Sequence, residues 1–385
     1  MFTISDIISS IIIYILCIFV IVVKFKLSKN NKKLTDSDSN KISIFNQIKQ
    51  NIIKIRQKIG RTRLGMVLKN GYPIVRLISN AYGYMAISEL ASYVENYVDI
   101  FYVANITDGI YLRLNGIKKP IMVLYLIDPS KINLAINYNL EILIPSIEWY
   151  ILAKNYIKSN NFKPIKAHIW YDSGMGKEGF KSHSDIITLY LFLKARPDIK
   201  LIGLGTKYNT SDTTYATSLT KLNQKSLPTD LVIQHLNFVK LVKTISDPKL
   251  IIHTACTFEL DRNFVESYFG SNGSIRVGTL IYRNIKWSQP LLEIKTMSDT
   301  DCYGYYCEKT PQNQSNKQYK MGLIKNFLSL QTEQLNYLKI YDKENNLQKI
   351  ILGRYDPLTF KFNPKSNLKV GSILTFIYND LFAYK

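Results

Sequence analysis

At 385 residues, with 46% hydrophobic residues and a net charge of +21, the chain is long enough for more than one core and too apolar for general disorder. Its cysteines, Cys17, Cys256, Cys302 and Cys307, are too scattered for a disulfide framework, and Cys302 and Cys307 lack partners at zinc spacing, so no metal is expected. No helix-turn-helix, zinc finger or RNA-binding aromatic motif accompanies the positive charge, which sets nucleic acid aside as a partner.

The chain opens on Ile7 to Val23, an uncharged and mainly apolar run followed by Lys24, Lys26, Lys29, Lys32 and Lys33. Its length suits one membrane-spanning helix. It also lacks the basic start and small-residue end of a cleaved signal, so residues 1–28 read as a transmembrane anchor. Lysines after the span put the N-terminus outside and the large domain in the cytoplasm. The basic stretch up to Lys69 then makes an anionic membrane leaflet the expected partner. Residues 29–41 read as a basic polar linker.

From Ile42 to Gly60, isoleucines 44, 48, 52, 55 and 59 recur at helical spacing and Gly60 supplies a stop. A strand-like run, Pro73 to Ile78, then opens into Ser79-Asn80-Ala81-Tyr82-Gly83. Asp99 to Leu124 reads as strand, helix and strand, and Leu140 to Ala153 continues that rhythm. Ala167 to Phe180 carries Asp172-Ser173-Gly174-Met175-Gly176 before Lys177. Apolar β-rich runs alternating with amphipathic stretches imply parallel strands buried on both faces, which in series close a barrel. From Trp287 the texture changes to short strands broken by polar turns. The expected architecture is therefore α/β: a (β/α)8 TIM-type barrel over 42–286, then a shortened, mostly β domain over 287–385.

The Ser79 to Gly83 turn, the Asp-Ser-Gly-Met-Gly string and Ile275-Arg276-Val277-Gly278 occur in the order found in alanine racemases. From about Lys41 onward the chain resembles that family of fold type III pyridoxal-phosphate enzymes. The resemblance implies the same barrel and β domain, pyridoxal phosphate as cofactor, and a homodimer. In the family a lysine at the end of the first strand-like run binds the cofactor covalently. Here Ile78 stands at that place and offers no amine to condense with an aldehyde.

The resemblance assigns the cofactor phosphate to Tyr82, Thr254 and the Gly278-Thr279 pair, and the pyridine nitrogen to Arg276, a cation that limits delocalisation into the ring. Racemisation needs two bases on opposite faces of a carbon. Tyr303 matches one of them, a tyrosine that in the family reaches the neighbouring subunit's site, and the other falls at Ile78. On the substrate side, Lys177 replaces an arginine that binds carboxylate, and Asp356 ends a shortened form of a family string. Trp170 stands where a carbamylated lysine orients that arginine, and Lys207 where a histidine packs on the cofactor ring. These departures lead to the expectation of a membrane-anchored pseudoenzyme with a residual pocket holding pyridoxal phosphate non-covalently. The alternative is an active amino-acid racemase, converting L-Ala to D-Ala, that uses a displaced lysine, Lys207 being the nearest.

Overall fold

The structure, a computed structural model, describes residues 36–68, 87–157, 163–176, 178–209, 229–254, 260, 269–282, 284–298, 318–324, 338–352 and 358–378. The chain divides into two compact units, Met1–Ile42 and Ser43–Lys385, and the second holds both the barrel and the C-terminal sheet.

Helix α1, Asp36–Ile59, begins inside the stretch read as a linker. From Ile44 to Ile59 its isoleucines at the expected spacing are all buried, forming one stripe, and Gly60 ends it at φ +58° with its N–H on the Arg56 carbonyl. The anchor expected over Ile7 to Val23 lies outside the described residues. Among the described residues no helix is long and apolar enough to cross a membrane, and the single-pass, cytoplasmic-domain reading and its lipid partner are withdrawn on that finding. Even α1, at 24 residues, is apolar along one side only, so its stripe suits a protein core rather than lipid.

Eight parallel strands close the barrel, each hydrogen-bonded to the next, with the last returning to the first. They are β1 Arg63–Leu68, β2 Ile100–Val103, β3 Ile121–Val123, β4 Glu141–Leu143, β5 Ile165–Tyr171, β6 Ile199–Thr206, β7 Ile251–His253 and β8 Gly273–Val277. The described helices between them are α2 Ile87–Val94, α3 Ile106–Leu114, α4 Ile132–Asn137, α5 Ile147–Lys154, α6 His183–Lys194 and α7 Thr229–Ile245. Local sequence sets several starts. Asn105, Ser146 and Ser182 each accept a backbone N–H three residues on, capping α3, α5 and α6.

At the N-terminal rim, side chains of these helices grip the residues leading into the strands. Arg56 donates to Asp99 at 2.6 Å, just before β2, and Arg113 donates to the carbonyls of Ile117, Lys119, Tyr138 and Asn139 ahead of β3 and β4. The spacing Tyr-x-x-x-Lys then serves twice. Tyr150 and Lys154 of α5 hold Asp198 before β6, and Tyr190 and Lys194 of α6 hold Asp247 before β7.

The C-terminal sheet has seven strands in the order β10-β11-β14-β13-β12-β15-β9, all pairs antiparallel, as a mostly β domain requires. Its members are β9 Ile285–Pro290, β10 Glu293–Ser298, β11 Gln318–Ile324, β12 Leu338–Tyr341, β13 Leu347–Leu352, β14 Leu358–Lys361 and β15 Ile373–Tyr378. Gln47 of α1 ties this sheet to the barrel: its amide donates to the Lys286 carbonyl at 2.7 Å and accepts the Lys286 N–H at 2.8 Å.

Candidate active site at the barrel mouth

Bulky polar residues fill the inside of the barrel because glycines on neighbouring strands leave them room. A Cβ on Gly65 would lie 2.0 Å from the Tyr102 ring, and one on Gly205 would lie 2.2 Å from the Trp170 indole. Trp170 therefore leans from β5 across β6 towards the mouth, beside a small apolar cluster of Ile100, Tyr102, Met122 and Leu143.

Arg276 of β8 is 5% exposed, and its Cζ sits 4.7 Å from the centre of the Trp170 ring. Its Nη2 donates to the carbonyls of Thr206 at 2.6 Å and Thr254 at 3.1 Å. The guanidinium is a permanent cation, so what burial takes from its hydration is returned by these carbonyls and by the indole face. Thr254, expected to offer a hydroxyl to phosphate, is buried and contributes its carbonyl to the seat of Arg276, while its N–H is on the Ser274 carbonyl. Gly278 follows β8, is buried, and leads into a 3-10 turn over Thr279–Tyr282, with the Ile281 N–H on its carbonyl.

The Asp172 to Gly176 string forms a loop folded around one carboxylate. Asp172 Oδ1 accepts the N–H groups of Gly174, Met175 and Gly176 at 3.1, 2.8 and 3.0 Å. Gly174 and Gly176 take φ of +142° and +66°, which a side chain would strain. Beyond the loop, Phe180 returns to β5, its N–H on the Trp170 carbonyl and its carbonyl accepting from Asp172. Ser173 bridges to Gln234 and to the carbonyl of Lys207, so Lys207 stands at the mouth directly after β6 with its backbone fixed.

Of the expected site residues, the structure thus brings Thr254, Arg276 and Gly278 together with Trp170 at one end of the barrel. Ile78, Tyr82, Lys177, Tyr303 and Asp356 lie outside the described residues, as does the side chain of Thr279. Sequence reasoning passed over an interior polar group, Glu141, His168, His253, Tyr102 and Ser274. Its one signal is a histidine inside each of two apolar runs, Ala167 to Tyr171 and Ile251 to Thr254.

The mouth therefore offers a buried fixed cation with an aromatic face beneath it and a buried glycine at the start of a turn, where backbone N–H groups suit an anion. Arg276 can orient or neutralise a ligand but cannot pass it a proton.

The family profile for the alanine racemase N-terminal domain matches residues 45–282. An alanine racemase of Streptococcus equi subsp. equi is 36% identical over 141 residues, a match spanning 37% of each chain. One from Streptococcus pyogenes serotype M6 is 28% identical over 262 residues, 67% of each. Among solved structures, alanine racemase from E. faecalis has a TM-score of 0.63 at 19% identity, and histidine racemase from Leuconostoc mesenteroides subsp. sake has 0.61 at 16%, each covering 86% of both chains. These structural likenesses bear on the fold, whereas the profile match covers most of the sequence from α1 to the end of the barrel. The chain belongs to the alanine racemase family.

Proposed function

We propose that this chain is a member of the family that holds pyridoxal phosphate without a covalent bond and does not racemise amino acids. Ile78, at the place of the cofactor lysine in an otherwise recognisable Ser79-Asn80-Ala81-Tyr82-Gly83 turn, carries the reading. A branched alkane can neither attach the aldehyde nor move a proton, and racemisation without its second base leaves Tyr303 with no counterpart.

The residues present fit the cofactor unequally. Arg276, fixed on the Thr206 and Thr254 carbonyls, suits an unprotonated pyridine nitrogen, and Gly278 at its turn suits a phosphate. Nothing at Ile78 fits the aldehyde. When bound, pyridoxal phosphate supplies a ring that accepts electrons from a carbon beside an amine. By the resemblance, the chain's own contribution would be a phosphate seat drawing on Tyr82, Thr254, Gly278 and Thr279, and a cation, Arg276, opposite the ring nitrogen. On the substrate side Lys177 is a point charge where a planar fork is wanted, Asp356 ends a shortened string, and Trp170 is uncharged. A substrate carboxylate would be poorly aligned, a loss that alone lowers rate by orders of magnitude. Homodimerisation belongs to the same reading and is checked by the sedimentation mass of the purified protein.

The test is borohydride reduction of the protein mixed with pyridoxal phosphate, followed by peptide mapping. Saturable binding with no modified lysine is expected. A labelled Lys207 peptide would overturn the reading in favour of an active racemase using a displaced lysine.

A further inference from the structure

Below the mouth, five buried side chains from five strands form two short hydrogen-bonded groups. In one, His168 Nε2 of β5 meets Glu141 Oε2 of β4 at 2.9 Å. In the other, His253 Nδ1 of β7 meets the Tyr102 hydroxyl of β2 at 2.8 Å, and that hydroxyl meets Ser274 Oγ of β8 at 2.9 Å. The groups face each other through His168 Nδ1 and His253 Nε2, both buried and, among the described residues, without a hydrogen-bond partner. Their ring centroids are 4.8 Å apart at 72°, and a methyl on Gly203 of β6 would lie 2.9 and 2.7 Å from these two nitrogens. A buried polar atom left unbonded is costly, and two that converge remove the penalty together if one carries a proton and the other a lone pair.

We propose that Glu141, His168, His253, Tyr102 and Ser274 form one hydrogen-bond relay across the barrel, closed by a bond from His253 Nε2 to His168 Nδ1 in the space beside Gly203. The chemistry of the ends makes donor and acceptor match. A carboxylate only accepts, so His168 holds its proton on Nε2 and leaves Nδ1 as a lone pair. Burial keeps the Tyr102 phenol protonated, so it donates to His253 Nδ1 while accepting from Ser274, and His253 carries its proton on Nε2.

One added proton reverses the chain without loss of a bond. It enters at Ser274, whose own hydroxyl proton moves to Tyr102 as Tyr102 passes its proton to His253 Nδ1, and His253 passes its own from Nε2 to His168 Nδ1. The added proton is thereby handed from the Ser274 end of the relay to its Glu141 end. The groups facing His253 are His168, Tyr102 and Trp170, with Arg276 of β8 and Arg63 of β1 acting through their charge. His253 is followed by Thr254, whose carbonyl seats Arg276. The relay thus passes one residue short of the seat of the mouth cation, whether or not a cofactor binds.

The test is ring-nitrogen NMR of the full chain labelled in its four histidines. Expected at neutral pH are one pyrrole-type signal, His253 Nε2, and one pyridine-type signal, His168 Nδ1, with a coupling between them across the hydrogen bond. Gly203→Ala is expected to abolish the coupling by wedging the rings apart. Tyr102→Phe, which leaves that space alone, is expected to move the His253 proton to a mixture of nitrogens. Two pyridine-type signals at the facing positions would overturn the relay and mark the pair as a cation seat. Absence of coupling in the unmodified chain, or an unchanged His253 tautomer in Tyr102→Phe, would equally overturn it.

Discussion

The two ends of the barrel are held by different chemistry. At the N-terminal rim, Asp99 is gripped by Arg56, and Asp198 and Asp247 are each gripped by a tyrosine and a lysine that helical spacing delivers as a pair. At the mouth, Arg276 rests on two carbonyls and an indole, and Asp172 rests on three backbone amides. An ion pair at the rim satisfies itself. A cation seated on neutral groups keeps its charge available to something else, so the rim reads as stability and the mouth as binding.

The largest test of that division is a gain. Ile78→Lys is expected to take borohydride-trapped pyridoxal phosphate from none to near one per chain while leaving the urea midpoint unchanged. Alanine racemisation is expected to stay at least about 100-fold below that of an active relative, because substrate alignment is not restored. Full turnover from this one change would erase the distinction between a lost lysine and a decayed pocket.

Asp172→Ala tests whether the mouth also bears weight. Losing three amide bonds to a charged acceptor is expected to destabilise by about 3 kcal/mol, read from urea denaturation, and to weaken pyridoxal phosphate binding at least tenfold. At the rim, Asp198→Ala removes the bonds to Tyr150 and Lys154 and is expected to cost about 2 kcal/mol with binding unchanged. A binding defect in Asp198→Ala would show that the two ends are coupled.

The smallest expected effect is a two-step dependence of stability on pH. Burial first, then His168 and Arg276, hold His253 well below the ordinary imidazole value. Stability is therefore complete above about pH 6.5 and declines as pH falls below it, because only the unfolded chain takes up that proton readily. Burial pushes Asp198 and Asp247 upward, but hydrogen bonds from Lys154 and Tyr150, and from Lys194, the Lys249 N–H and Tyr190, outweigh it and hold both low. Their contribution is present above the unfolded carboxylate value and is lost only below about pH 3.9. Asp198→Ala is expected to shrink the acid step and spare the upper one, as followed by thermal midpoints across pH.

Much of this was legible in the sequence. The isoleucine stripe of α1, the βαβ rhythm through Leu124, and the change of texture near Trp287 depend on local periodicity, and local periodicity survives folding. The motif order gave the family, and the structure puts Arg276 and Gly278 at the end of β8. The helix start at Asp36 was hidden by a polar run, Asp36 to Asn40, that looks like a linker until the apolar stripe downstream carries the helix back through it. The membrane anchor rested on the apolar run Ile7 to Val23, the lysines after it and the missing signs of a cleaved signal, and that run lies outside the described residues. The interior relay was hidden for a further reason. Strands buried on both faces do not alternate, so a histidine inside each of two apolar runs is the only mark, and it does not say which way His168 and His253 point.

Gln47 has a consequence beyond the bond it makes. Among the described residues β9 is the last strand in its sheet and pairs only with β15, and the N–H and C=O of Lys286 are bonded to the Gln47 amide. One side-chain amide thus imitates a neighbouring strand and plugs the open edge, where an unpaired row of peptide groups would invite another molecule to add on. The first helix of the barrel guards the last sheet against self-association. A fragment cut free of α1 would fail by aggregating through β9, even with its own hydrophobic core intact.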